Sequence, residues 1–253
     1  MNTKNRYLSI CVIAMCLVAG SAFAADTKSQ LFDMVKKIAE TKQYSVTIRM
    51  GYDIVQESGQ KIEFSEIRKT TINRPNHLRA EAWQSDGDES LLIFDGKVIT
   101  LFNASENVYS QTDRPGDVDG AIRYAVGKMG MRVPLARMLT TTFPSEFQKM
   151  TTSVDYVEHN TLGATPTDHI AGQTEDIDYQ VWITKDNLPE RIVITYKNAP
   201  GQPQFWAQFS DWNLAPKISD DTFIFTPPKG AEKIPTLLPA TESGVTNKTQ
   251  GGA

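Results

Sequence analysis

The residues best suited to chemistry are three histidines, His77, His159 and His169, and two cysteines, Cys11 and Cys16. No two histidines stand in H-x-H, H-x-x-x-H or H-E-x-x-H spacing, so no local zinc motif is present. His77 adjoins a turn and His159 a strand end, where solvated imidazoles are expected; a zinc site would have to be assembled from distant strands. The chain also lacks G-x-S-x-G, P-loop and G-x-G-x-x-G patterns. The acidic run Asp86-Gly87-Asp88-Glu89 misses the alternating ligands and closing Glu of an EF-hand loop and reads as a solvated turn. Asp220-Asp221 and the cluster Glu175, Asp176 and Asp178 fall in predicted loops or on exposed strand faces, and nothing in their spacing makes an acid–base couple. Neither an enzymatic activity nor a cofactor or metal is expected.

Both cysteines lie in a segment built for removal. Lys4 and Arg6 precede an apolar stretch from Leu8 to Ala19, and Gly20-Ser21-Ala22-Phe23-Ala24 supplies the small residues of a cleavage site after Ala24. About a dozen apolar residues fall short of the roughly 20 that a membrane helix needs. The reading is a signal peptide over 1–24 and export to the periplasm. The mature chain then has no cysteine, which excludes disulfides, thiolate metal sites and cysteine nucleophiles. Losing Lys4 and Arg6 from 26 basic residues, against 30 acidic ones, moves the net charge from −4 to about −6. No basic stripe exists, so nucleic acid is not an expected partner.

With chemistry set aside, the apolar faces carry the information. Leu31, Met34, Val35, Ile38 and Ala39 recur at helical spacing within 26–42. From residue 44 to 54 the period becomes two: Tyr44, Val46, Ile48, Met50, Tyr52 and Ile54 alternate with mostly polar residues. A turn at Glu57-Ser58-Gly59-Gln60 leads into a second long strand over 61–73, broken by Arg74-Pro75-Asn76. Short strands are expected at 78–83, 91–94, 98–102 and 108–111, with an Asp95-Gly96 turn whose two central residues both take positive φ. Asp117 is placed to cap a helix carrying Val118, Ala121, Ile122, Ala125, Val126 and Met129, which Gly130 ends. Pro134 can open a second short helix with Leu135, Met138 and Leu139, and Phe143, Phe147 and Met150 continue the apolar material. Strands resume at 153–158, 165–171, 177–184, 191–196 and 204–212, where Phe205, Ala207 and Phe209 share one face and Trp206 and Trp212 the other. A last edge strand is expected at 222–226. The chain from 239 to 253 is expected to be disordered, leaving one domain over 25–238.

The fold class predicted is β-rich α+β. About eleven antiparallel strands form a sheet that curls rather than staying flat. An N-terminal helix and mid-chain helices cover its concave face, the general form of a small-molecule pocket.

Several local patterns carry a resemblance. They are Arg74-Pro75-Asn76-His77-Leu78-Arg79, Phe94-Asp95-Gly96-Lys97, Leu101-Phe102-Asn103, Val108-Tyr109, Leu188-Pro189-Glu190-Arg191 and the closing Phe223-Ile224-Phe225-Thr226-Pro227-Pro228-Lys229-Gly230-Ala231. In this order they resemble the LolA and LolB superfamily of periplasmic lipoprotein carriers and receptors. They more closely resemble a family of predicted periplasmic proteins of unknown function with that fold, which the 117–139 block also fits. The resemblance implies an unclosed β-barrel with helices as a lid over a cavity that takes lipid or acyl chains. It also implies an arginine on an early strand that binds lid backbone, for which Arg49 is the candidate.

The cavity lining is accordingly expected from Tyr44, Val46, Ile48, Met50 and Tyr52, from Ile122, Val126, Leu135 and Leu139, and from Phe205 and Phe209. The expected function is non-catalytic binding or carriage of an apolar ligand by a monomer. The alternative is an envelope protein–protein interaction or sensor module on the same fold.

Overall fold

The computed structural model describes residues 26–131 and 133–235, so the signal-peptide and tail readings, 1–24 and 239–253, lie outside the described residues. Helix α1 spans 26–40. Its spaced stripe Leu31, Met34, Val35, Ile38 and Ala39 is at most 3% exposed, as the periodicity requires. The period then switches to two in β1 (Gln43–Val55), which buries Tyr44, Val46, Ile48 and Met50 and leaves the residues between them partly or fully exposed. β1 and β2 (Lys61–Asn73) pair along their whole length, from Gln43 with Asn73 to Val55 with Lys61. β3 (His77–Gln84), β4 (Glu89–Phe94), β5 (Val98–Asn103) and β6 (Val108–Asp113) continue as a meander. α2 (Val118–Gly127), a 3-10 turn at Ala136–Leu139 and α3 (Phe143–Met150) follow. The chain returns to strands in β7 (Ser153–Asn160), β8 (Thr167–Gln173), β9 (Ile177–Thr184), β10 (Pro189–Tyr196) and β11 (Gln204–Asn213), and ends in a short β12 (Glu232–Lys233).

All twelve strands form one sheet, in the order β12-β6-β5-β4-β3-β2-β1-β11-β10-β9-β8-β7. Every pairing is antiparallel except β12 with β6. β11 comes back beside β1 and fuses the two meanders. β12 and β7 remain as unjoined ends, so the curled sheet is an unclosed barrel. Its concave face holds the core. α1 and α3 cover the β8–β10 half through Phe32 against Phe147 (5.9 Å between rings) and Phe147 against Tyr179 (5.2 Å). Gly172 makes room there, because a Cβ at that position would collide with the Tyr179 ring. α2 covers the other half, capped by the Asp117 side chain accepting from Gly120 N.

Three local expectations are corrected. At the Asp95-Gly96 turn only Gly96 has positive φ (90°). The Asp95 carboxylate instead accepts from Lys97 N and Val98 N, an Asx turn that leaves Asp95 in ordinary backbone. The second mid-chain helix shrinks to one 3-10 turn because Leu135, just before it, is left-handed (φ 61°). The edge strand expected at 222–226 is a 3-10 turn at Asp220–Phe223. Its rings pack instead of pairing: Phe223 on His77 at 4.9 Å, and Phe225 on Phe102 and Tyr109 at 5.6 and 5.1 Å. The true edge is β12.

Candidate functional site

Antiparallel register decides which side chains share the concave face, because directly paired residues point the same way. Val46 pairs with Thr70, Ile48 with Arg68 and Phe209, Met50 with Glu66 and Ala207, and Tyr52 with Phe64 and Phe205. Two apolar lobes lie between this face and the helices, of about 50 and 40 Å³. Leu78, Ala80, Leu92 and Ile99 of β3–β5 face Ala121, Ile122, Ala125 and Val126 of α2 across the first. The second runs under Pro134, Leu135 and Met138, over Tyr44, Val46, Ile48, Met50, Phe209 and Trp212, with Ile38 of α1 at its side. Arg68, Thr70, Val133, Ala136 and Leu139 line both. Both lobes are smaller than an apolar cavity of about 150 Å³, which is large enough to take a benzene ring.

The residues singled out by sequence distribute unevenly. Ile122 and Val126 line the first lobe, Leu139 both, and Tyr44, Val46, Ile48, Met50, Leu135 and Phe209 the second. Val126 is 40% exposed. Tyr52 and Phe205 line neither: Phe205 is packed core at 1% exposure, and Tyr52 stacks on Phe64. Trp212, expected opposite Phe209, turns inward. Asp211 is left-handed (φ 55°) and the β1–β11 register slips between Ser45 and Thr47, so the alternation resets and Trp212 stacks on Phe209 at 5.8 Å.

Two charges on the concave face escaped the sequence reading. Arg68 Nη2 lies 2.6 Å from Glu66 Oε1, each side chain only 13% exposed. That oxygen accepts no aligned hydrogen bond, so the pair is held by proximity. A signal for it existed: the even positions of β2 read Ile62, Phe64, Glu66, Arg68, Thr70, Ile72, and the hairpin puts them on the face of Tyr44 to Tyr52. Tyr44 adds a third polar feature. Its hydroxyl has no hydrogen-bond partner among the described residues, and burial pushes its pKa well above the ordinary tyrosine value, eased by the nearby Arg74 charge.

The lid-backbone bond expected of Arg49 is made elsewhere. Arg49 lies in the polar register of β1 and is exposed. Arg74, in the β2–β3 turn, donates from Nη2 to Leu139 O at 2.5 Å and from Nε to Thr41 O at 3.3 Å. Its Nη1 sits 3.5 Å from Asp119 Oδ1, and Asp119 Oδ2 accepts from Thr141 N and Thr141 Oγ1. One guanidinium thus ties together the end of α1, the first turn of α2 and the end of the lid segment.

Among the histidines, His159 pairs at the surface with Asp168 (2.9 Å). His169 is not a surface residue: it is 8% exposed, stacked 4.1 Å from Trp182 and bonded through Nε2 to Gln180. Among the described residues no three of His, Cys, Asp and Glu gather as a metal site, and no helix is long and apolar enough to cross a membrane.

Residues 27–237 match the model of a family described as "Predicted periplasmic protein (DUF2092)". The chain belongs to this family. Its periplasmic character agrees with the export signal read at residues 1–24. No curated protein matches the chain. Solved structures with a similar course include an uncharacterized conserved protein from Thermus thermophilus, with TM-score 0.47, 9% identity, and 83% of this chain and 99% of that one covered. A LolA superfamily protein from Nitrosomonas europaea has TM-score 0.34 and 9% identity, covering 79% and 97%. The Pseudomonas aeruginosa MucA/MucB complex matches with TM-score 0.40 and 15% identity, over 80% of this chain but only 61% of the matched one.

Proposed function

We propose that this periplasmic protein binds or carries an apolar ligand, a lipid or acyl chain, between the concave sheet and the 118–139 cover, without catalysing a reaction on it. The observation that supports this most is the pair of apolar lobes beneath the 133–139 segment, whose Leu139 carbonyl accepts from Arg74. Such a site needs no reacting group, since each methylene withdrawn from water contributes about 0.8 kcal/mol. Ala125 lines the first lobe at 5% exposure, so Ala125→Phe fills it. The wild-type protein is expected to brighten N-phenyl-1-naphthylamine and to yield lipid on solvent extraction after native periplasmic purification. The Ala125→Phe protein should do neither. A wild-type protein that extracts clean and leaves the probe dark overturns the reading.

A second reading is an envelope interaction module, favoured by a pair of apolar side chains outside the cavity. Ile67 and Trp83 pair across β2 and β3 in the register opposite to Arg68, and are 43% and 39% exposed. It predicts a protein partner that co-purifies after delipidation and is lost on Trp83→Ser.

A further inference from the structure

Resting on the cavity reading above, we infer that the ligand is an amphiphile with an anionic, carboxylate-type head, and that Arg68 is the residue that receives it. The argument starts from cost. A guanidinium facing an apolar cavity loses hydration that one off-axis neighbour does not replace, and a buried pair of this kind is commonly less stable than apolar side chains of the same size. A cavity meant only for hydrocarbon has no use for it. Arg68 nonetheless stands where the two lobes meet and, among the described residues, is the only charged one lining either.

The chemistry available there is one-sided. Arginine offers five N–H donors in a planar fork that matches a carboxylate with two parallel bonds. Among the described residues Glu66 is the one ionic partner of Arg68, and it accepts no aligned hydrogen bond from it. Glu66 itself lines neither lobe. The other polar side chains lining the lobes are Thr70, Tyr44 and Trp212, and the Trp212 indole is already committed to Pro189 O. The buried Tyr44 hydroxyl is unpartnered among the described residues. Among the described residues no Asp or Glu lines either lobe, while Arg68 lines both and Tyr44 the second. Glu66 then acts as a resident counter-ion that a ligand carboxylate displaces when the lid lifts.

The test compares palmitate with hexadecanol, two ligands of equal chain length that differ in the head, each titrated below its aggregation limit by tryptophan fluorescence. The proteins are wild type, Arg68→Met, Arg68→Lys and Glu66→Gln. Wild type is expected to prefer palmitate by at least about tenfold, the scale of one charge-assisted contact. Arg68→Met should abolish that preference while leaving hexadecanol binding within about threefold, and Arg68→Lys should restore part of it. Glu66→Gln should tighten palmitate, having removed the competing carboxylate. Equal binding of the two ligands by wild type, or equal weakening of both by Arg68→Met, makes Arg68 structural and overturns the inference while the cavity reading stands. If neither ligand binds wild type, both readings fall. Should Arg68→Met not fold, the head-group preference of wild type and the direction of the Glu66→Gln change decide the matter.

Discussion

Arg74 holds Leu139 by its backbone: the guanidinium donates to the Leu139 carbonyl at 2.5 Å while its other nitrogens engage Thr41 O and the Asp119 carboxylate. Both charged side chains are at most 10% exposed, so solvent does little to weaken the contact or to replace it. The segment it retains, 133–139, forms the wall that the two lobes share.

Replacing Arg74 with Ala strands the buried Asp119 carboxylate, and breaking a buried pair from one side costs about 3–5 kcal/mol. Urea denaturation should show a loss of this order. Amide hydrogen exchange should rise most over 133–141, where the carbonyl and threonine contacts end. Uniformly faster exchange with no local maximum would mean that Arg74 supports the whole sheet and not the lid.

Acid should weaken the seat of α1. Burial alone would raise the Asp168 pKa, but hydrogen bonds from Gln30 of α1 and from His159 leave it below its ordinary value. A carboxyl with a depressed folded pKa contributes stability that is complete above its unfolded pKa, about 3.9, and is lost as pH falls through the folded one. Asp168→Asn is therefore expected to be less stable at neutral pH and to show a flatter decline below about pH 4, measured by urea midpoints across the acid range.

Alkali acts through Tyr179. Burial pushes its hydroxyl up to about 12, against a smaller opposing effect of the hydrogen bond with Thr151. The unfolded chain ionises first, so stability should fall as pH rises from about 10 toward that value. Absorbance at the phenolate band should show Tyr179 titrating only with unfolding, and Tyr179→Phe should remove that part of the alkaline loss.

Gly51 is a packing requirement on the opposite face. The Trp206 indole lies over it, and a Cβ there would sit 2.5 Å from Nε1, the atom that donates to Glu63 Oε2. Gly51→Ala should cost about 1–3 kcal/mol as the ring is displaced and should red-shift tryptophan emission. In Gly51→Ala/Trp206→Ala the glycine penalty should shrink, since the two residues are in contact.

Much of this protein was written locally. The helical stripe of α1, the alternation of β1, the span of β2 and the Asp117 cap each depend on neighbours a few residues away, and the sequence alone predicted them closely. The buried face of β1, Tyr44, Val46, Ile48 and Met50, followed for the same reason, as a period of two assigns faces without knowledge of the fold.

What the chain could not declare was set by register and by a few unusual φ values. Arg49 lies within β1 and Arg74 just after β2; only the packing of α1, α2 and the 139–141 segment around one turn brings Arg74 to the Leu139 carbonyl. Trp212 changed faces because a single left-handed residue, Asp211, shifted the alternation by one. The periplasmic location was legible from the first residues alone. The site needed distant strands to be brought side by side, because a side chain on a sheet takes its surroundings from its cross-strand partners and not from its neighbours in the chain.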